Sequence, residues 1–382
     1  MTSRERVLTS LRFMEPDRVP YFEQGVASKP ASEVLGRKAH TGGGGFRRLG
    51  VEAALAGPNA YEQYVEAFFE DWCALVEALD FDVVSLPWAG GGKPARKLDE
   101  FTYFFGDLDC AWRVEQFNPA SDTFATIDSS LRHQGALQEI ASHVQDLAGQ
   151  HAARSVLTAE SFPLLRRLIE RFGTRRAIAD GPCLAIPMEA AWWEAMLELP
   201  EVVQRYLDIQ ADQACEMIDV MAQMGVDMIW GGGDLASNSG PAYSAAHFRQ
   251  FMLAPLQRMT AACARHGIPY IFRTDGVIWP IAQELFVESG VRGYGEIDRQ
   301  AGMKLEDVRR RLPHLILWGN VDCGRTLTFG AQNEVAAETR GCIDAAAAGG
   351  GYILGSSNVI HSEIPARNLL AMIEMCREYG RY

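Results

Sequence analysis

The sequence predicts an α/β protein of the (β/α)8 TIM-barrel class, and three observations carry that reading. The first is the stretch IPYIFRTDG at 268–276, a short β-branched and aromatic run that ends abruptly in Arg273, Thr274 and Asp275. A run apolar on both faces suits a buried parallel strand. The second is recurrence. DMIWGGGD ends at Asp234, GVRGYGEID at Glu296 and Asp298, LILWGNVD at Asn320 and Asp322, and GGYILGSSN at Asn358. The third is the regular alternation of these runs with helical patterns from Asp227 onward. Repeated βα units with polar strand ends describe a barrel whose site lies at the carboxyl face of the strands.

Taken in order, residues 2–13 read as a helix with Thr2 or Ser3 as N-cap and Glu5 in the first turn. This forms an N-terminal extension ahead of the first strand, 19–23. The stretch has no unbroken apolar core of the signal-peptide kind. Residues 25–60 read as irregular, with TGGGG at 41–45 as a flexible linker or lid, because its glycines lack the frame of a phosphate-binding loop. A helix is expected over 60–79 and a strand over 81–88. Alternation over 99–128 predicts a β-hairpin insertion that turns at Gly106-Asp107. Helices follow at 131–150 and 157–172, with a strand within 176–187. Two more helices, MEAAWWEAML and PEVVQRYLDIQADQACEMIDVMAQM, lead to the regular half.

That half reads as strand 227–233, helix 244–265, strand 268–273, helix 277–289, strand 291–296, helix 304–311, strand 315–319, helix 332–348, strand 351–355 and helix 366–378. Proline and glycine punctuate the joints. No boundary divides the chain, so 1–382 is expected to form a single domain.

Composition narrows the function. The chain has 382 residues, 48% of them hydrophobic, and a net charge of −13. A strongly acidic protein has no basic face for nucleic acid or anionic membrane. The eight cysteines are scattered without a CxxC pair, as in reduced thiols of a cytoplasmic protein. No apolar run approaches the roughly 20 residues that span a bilayer.

The strand ends supply the candidate site. Asp234 follows three glycines, which admit a close ligand; otherwise it is the N-cap of the next helix. Arg273 suits a substrate carboxylate, or else forms an ion pair with Asp275 or Glu296. Asp275 is that partner or a general base, and Glu296 is a candidate acid. Glu23, at the end of the first strand, is a pocket carboxylate or a solvated one. Asn320 binds substrate or ties loop backbones together. Asn358 ends the last strand, and His361 lies in the loop after it. Tyr243 and Trp230 would line an aromatic wall or belong to the core. HxH, HxC and HExxH patterns are missing, so no zinc site is prefigured and the metal ligands stay unassigned.

GGYILGSSNVIHSEIPARNLLAMIE at 350–374, LWGNVD at 317–322 and the start RERVLTSLRFMEPDRVP resemble the uroporphyrinogen decarboxylase superfamily. That superfamily holds the tetrapyrrole decarboxylase and the corrinoid-linked methyltransferases, and its fold is a (β/α)8 barrel. Two departures sort the branches. The decarboxylase branch has an arginine-rich segment after the first strand, where this chain reads YFEQGVASKP. The thiol-methylating branch holds zinc with a His-x-Cys pair and a later cysteine, where the matching positions look like Arg273, Asp275 and Asn358.

The resemblance therefore implies a methyltransferase-like member, moving a methyl group from a small O- or N-methyl compound to a cobamide (corrinoid) on a partner protein. Asp234, Glu296, Asp275 and His361 are its candidate catalytic groups. Zinc stays open as a cofactor, and a homodimer is a further expectation. The alternative is a carboxy-lyase acting on a carboxylated tetrapyrrole or aromatic acid.

Overall fold

The computed structural model describes residues 1–87, 92–108 and 110–382. Seven parallel strands form one curled sheet. In spatial order they are Val83–Val84, Ala177–Asp180, Met228–Gly232, Tyr270–Arg273, Gly293–Gly295, Ile316–Trp318 and Tyr352–Ile353. The segment after Pro20 reaches both edges. Tyr21 bridges Leu354 in parallel, and the Asp82 N–H donates to the Tyr21 carbonyl at 2.9 Å. The architecture is TIM-barrel-like. The first strand, expected over 19–23, is reduced to this bridge. Trp88, expected to end the next strand, lies outside the described residues.

Side chains alternate along each strand, as the pleat requires. Phe22, Trp230, Ile271, Trp318 and Ile353 pack inside the barrel. Tyr270, Phe272, Tyr294, Leu317 and Tyr352 pack outward against the helices. The interior is closed by aromatic edges: Trp230 meets Phe22 at 5.0 Å and Trp318 at 4.9 Å, both T-shaped. Such pairs fill a barrel with side chains and leave a solid floor beneath its mouth.

The N-terminal helix Ser3–Ser10 is capped by Thr2, whose hydroxyl accepts from the Glu5 N–H while Glu5 reaches back. Arg6 and Arg18 both pair with Asp82, and Arg4 pairs with Asp227. Asp82 and Asp227 precede barrel strands, so these ion pairs seal the amino-terminal face.

Residues 25–60 depart from the expected irregular stretch. They hold helices Ser28–Leu35 and Gly44–Ala56. The glycine run is no flexible lid. The Gly44 N–H donates to the Asp122 carbonyl at 2.9 Å and the Gly45 N–H to Asp122 Oδ1 at 2.6 Å. A Cβ on Gly44 would stand 2.4 Å from the Asp122 carbonyl oxygen. The glycines are there because another part of the chain lies against them.

Asp122 lies in the turn before the last strand of a four-stranded antiparallel sheet, Arg96–Lys97, Thr102–Gly106, Trp112–Asn118 and Thr123–Ser129. It has a small core of its own around Tyr103, Phe105, Phe117 and Phe124, closed by Val51 of the Gly44–Ala56 helix. The helix expected at 277–289 is instead a 3-10 turn, Trp279–Ile281, and a π turn, Glu284–Glu288. The helix expected at 244–265 begins with a short turn and a π segment, Phe248–Met252, before Leu253–Arg265. Pro280 lies in the 3-10 turn and Pro255 in the first turn of Leu253–Arg265, just past the π segment, and proline has no N–H with which to continue an α ladder. Among the described residues no helix is long and apolar enough to cross a membrane.

Candidate active site at the barrel mouth

Parallel strands deliver their carboxyl ends to one face, so residues far apart in sequence meet there. Asp234, Asp275 and Glu296 follow three successive strands. Each offers a carboxylate oxygen within 4.8 Å of the other two. They differ in exposure: Asp234 is exposed, Asp275 half-buried and Glu296 buried. Glu296 sits at φ 60°, in the left-handed region that non-glycine residues rarely adopt. This strained backbone turns its carboxylate toward the others.

Arg273 lies beside the group. Its Nε–H donates to the Gly231 carbonyl at 3.0 Å, and Nη1 donates to Gln24 Oε1 at 2.7 Å. Nη1 also stands 3.6 Å from Glu296 Oε1. The guanidinium rests over the Trp230 ring at 5.5 Å. Nη2 faces the exposed Cys183, 3.9 Å from its sulfur. Gln24 completes a bridge, because its amide nitrogen donates to Glu296 Oε1. On the other side Asn358 donates to Asp275 Oδ2 at 2.6 Å.

Crowding sets the protonation states. Burial, with Glu296, Asp298 and Asp234 nearby, pushes Asp275 up to about 7, against the Asn358 hydrogen bond. Burial also raises Glu296, while Arg273 and Gln24 oppose the shift. Asp180, at the end of its strand, is raised to about 6 by burial. Three carboxylates this close cannot all stay ionised without a counter-charge. A shared proton or a hard cation relieves the repulsion.

As a metal site the donor set is all oxygen, which suits hard cations. Zinc of the thiolate–imidazole kind does not fit. The two positions that would supply its ligand pair hold the Arg273 guanidinium and Asp275, and Asn358 stands where the later cysteine would be.

The other candidates divide. Glu23 is wholly buried and no solvated carboxylate. It accepts from the Ser356 N–H at 2.8 Å and from the Tyr21 hydroxyl at 3.3 Å, and burial pushes it up to about 8. Trp230 lies within the barrel beneath Arg273. Tyr243 is buried, and its hydroxyl has no hydrogen-bond partner among the described residues. Asn320 donates to the Ile297 carbonyl at 3.0 Å and so ties two strand-end loops together. His361 is bound to the Thr328 hydroxyl and the Cys323 carbonyl, each at 3.2 Å, and accepts from the Glu363 N–H. Its bonds hold the last loop and reach none of the three carboxylates.

The glycines before Asp234 serve a different purpose from the expected one. A Cβ on Gly231 would stand 2.1 Å from the Tyr270 hydroxyl, and one on Gly232 2.3 Å from the Arg273 carbonyl oxygen. They admit neighbouring strands, not a ligand. Sequence reasoning passed over Gln24, Cys183 and Asp180. The signals were Gln24 beside Glu23 in YFEQG, and the polar end of the strand in IADGPC.

A methyltransferase from Methanosarcina mazei has a similar structure, with a TM-score of 0.63 over 99% of each chain at 16% sequence identity. At that identity the likeness is one of fold. A sugar phosphate isomerase/epimerase from Parabacteroides distasonis aligns over 65% of this chain and 92% of that one, at 9% identity and a TM-score of 0.35. A D-psicose 3-epimerase aligns over 64% and 90%, at 13% identity and a TM-score of 0.34. Among curated proteins, none matches the sequence. The description "Uroporphyrinogen decarboxylase (URO-D)" matches residues 187–379, just over half of the chain and all of the strand ends from Asp234 to Asn358. The chain belongs to the uroporphyrinogen decarboxylase (URO-D) family.

Proposed function

We propose that the barrel mouth is a methyltransferase-type active site that removes a methyl group from a small O- or N-methyl compound. The observation that carries this reading is the Asp234–Asp275–Glu296 group with Arg273 beside it. Demethylation leaves an electron pair on oxygen or nitrogen, and a poor leaving group must be protonated as it departs. Asp275 holds that proton, because burial and the neighbouring carboxylates of Glu296, Asp298 and Asp234 disfavour its ionisation.

As the carbon–heteroatom bond breaks, its electron pair stays on the heteroatom and takes the Asp275 proton. The methyl group leaves as a methyl-cation equivalent. Solvent, which reaches the group at the exposed Asp234, returns a proton to Asp275. Arg273, held by Gln24 and Glu296, turns its Nη2 edge to a substrate carboxylate. The methyl acceptor would be the nucleophilic metal of a cobamide on a partner protein. The exposed Asp234 and Cys183 mark the side from which a partner-borne group would approach.

A second reading is a carboxy-lyase, favoured by Arg273 as a carboxylate anchor. It would release carbon dioxide and protonate the resulting carbanion from the same acid. The test is a panel of methoxylated and carboxylated aromatics, assayed both for demethylated product and for carbon dioxide. Demethylation lost in Asp275→Asn, with the fold intact, supports methyl transfer. Carbon dioxide release without demethylation sinks it.

A further inference from the structure

A cavity of about 260 Å3, lined by none of Asp234, Asp275 and Glu296, lies between the antiparallel sheet, the loop after Ala177–Asp180 and the helices Ala136–Ala153, Ala190–Glu198 and Pro200–Met224. Its walls are aromatic. Trp112 comes from the sheet, and Trp192 and Tyr206 come from the helices. The Trp192 and Tyr206 rings stand 4.5 Å apart. Trp112 is stacked on Phe104 at 6.0 Å, which fixes its plane.

Two carboxylates reach this box. Glu139 accepts from the Ser130 hydroxyl at 2.6 Å. Oε2 of Glu189 is buried with no hydrogen-bond partner among the described residues, and so is the Ser129 hydroxyl. A buried acceptor left unpaired is costly, and each such group in a native structure calls for a partner. Arg113, a cation on the lining, donates to Glu115 at 2.8 Å and lies over the Phe105 ring, so its charge is already matched.

We infer that this cavity binds a small organic ammonium ion, with its charged head at Glu189 and its apolar body between Trp112 and Trp192. Aromatic faces attract cations, and a carboxylate oxygen shielded from water, as Glu189 Oε2 is, accepts an ammonium N–H. A neutral hydroxyl could donate a hydrogen bond to Glu189 but would bring no charge to match the carboxylate, and an anion would be repelled by it. None of the lining residues belongs to the Asp234–Asp275–Glu296 group. The site is therefore a second one, and its occupancy does not depend on the chemistry at the mouth.

The test titrates the full chain with benzylammonium and, as a neutral control of the same shape, benzyl alcohol, followed by calorimetry and tryptophan fluorescence. Benzylammonium is expected to saturate and to bind at least about tenfold more tightly than the alcohol. Glu189→Gln is expected to remove that preference while the thermal midpoint holds. Trp112→Leu, at a half-exposed position, is expected to weaken both ligands. Equal affinity for the two compounds, undiminished ammonium binding in Glu189→Gln, or no saturable binding overturns the inference.

Discussion

Gln24 donates through its amide nitrogen to Glu296, and its amide oxygen accepts from Arg273 at 2.7 Å. One neutral side chain thus fixes both the guanidinium and the buried carboxylate of the mouth. The bridge braces an ion pair whose own N–O separation is 3.6 Å.

Replacing Gln24 with leucine leaves both charges short of a partner. Losing hydrogen bonds to buried charged groups costs about 1.5–3 kcal/mol. We expect kcat/KM to fall about 10- to 100-fold, with the larger share in KM, because Arg273 loses its aim at the substrate. An unchanged KM would remove Arg273 from substrate binding.

Asn358 stabilises the ionised form of Asp275 through a 2.6 Å hydrogen bond. Asn358→Ala should therefore raise Asp275 above its value of about 7. The proposed acid works protonated, so the alkaline limb of the pH–rate profile should move to higher pH. A limb that stays in place, or moves lower, argues that another group donates the proton.

Glu23 makes stability depend on pH. Its folded value is raised from 4.5 to about 8 by burial. Between those values the folded chain holds a proton that the unfolded chain has released. Stability from this group is therefore full below about 4.5, declines as pH rises toward about 8 and is level above that, with a slope of up to about 1.4 kcal/mol per pH unit. Glu23→Gln cannot ionise and should flatten that part of the curve in chemical unfolding. A mutant with the parent slope would place the titration elsewhere.

Gly44→Ala drives a methyl group into the Asp122 carbonyl. Overpacking of this kind costs about 1–3 kcal/mol. Gly149, inside the Ala136–Ala153 helix with open space around it, is the contrast. Gly149→Ala should stabilise by about 0.5–1 kcal/mol. Thermal midpoints that move together in both mutants would remove the contact as the cause.

Much of the fold was legible because buried parallel strands leave a plain signature, an apolar run that ends in glycine and a polar side chain. The meeting of Asp234, Asp275, Glu296 and Asn358 follows from that topology, since successive carboxyl ends share one face. Other features depend on neighbours that the local sequence does not name. Glu23 and Gln24 are adjacent, yet Glu23 is sealed against Ser356 while Gln24 reaches the mouth. One step along an extended chain reverses the face. The glycines at 43–45 and 231–232 read as room for motion or ligand, but the space is filled by Asp122 and by Tyr270 with Arg273. His361 was placed by a loop whose course Thr328 and Cys323 decide.

The most direct test of the central claim mixes the purified protein with cob(I)alamin, in place of the partner-borne cobamide, and a methoxybenzoate, and follows methylcobalamin by absorbance. The account predicts that methylcobalamin and the demethylated phenol form together in the parent, and that Asp275→Asn abolishes both while remaining folded. Undiminished methylcobalamin in Asp275→Asn, or carbon dioxide released with no methyl transferred, would contradict it.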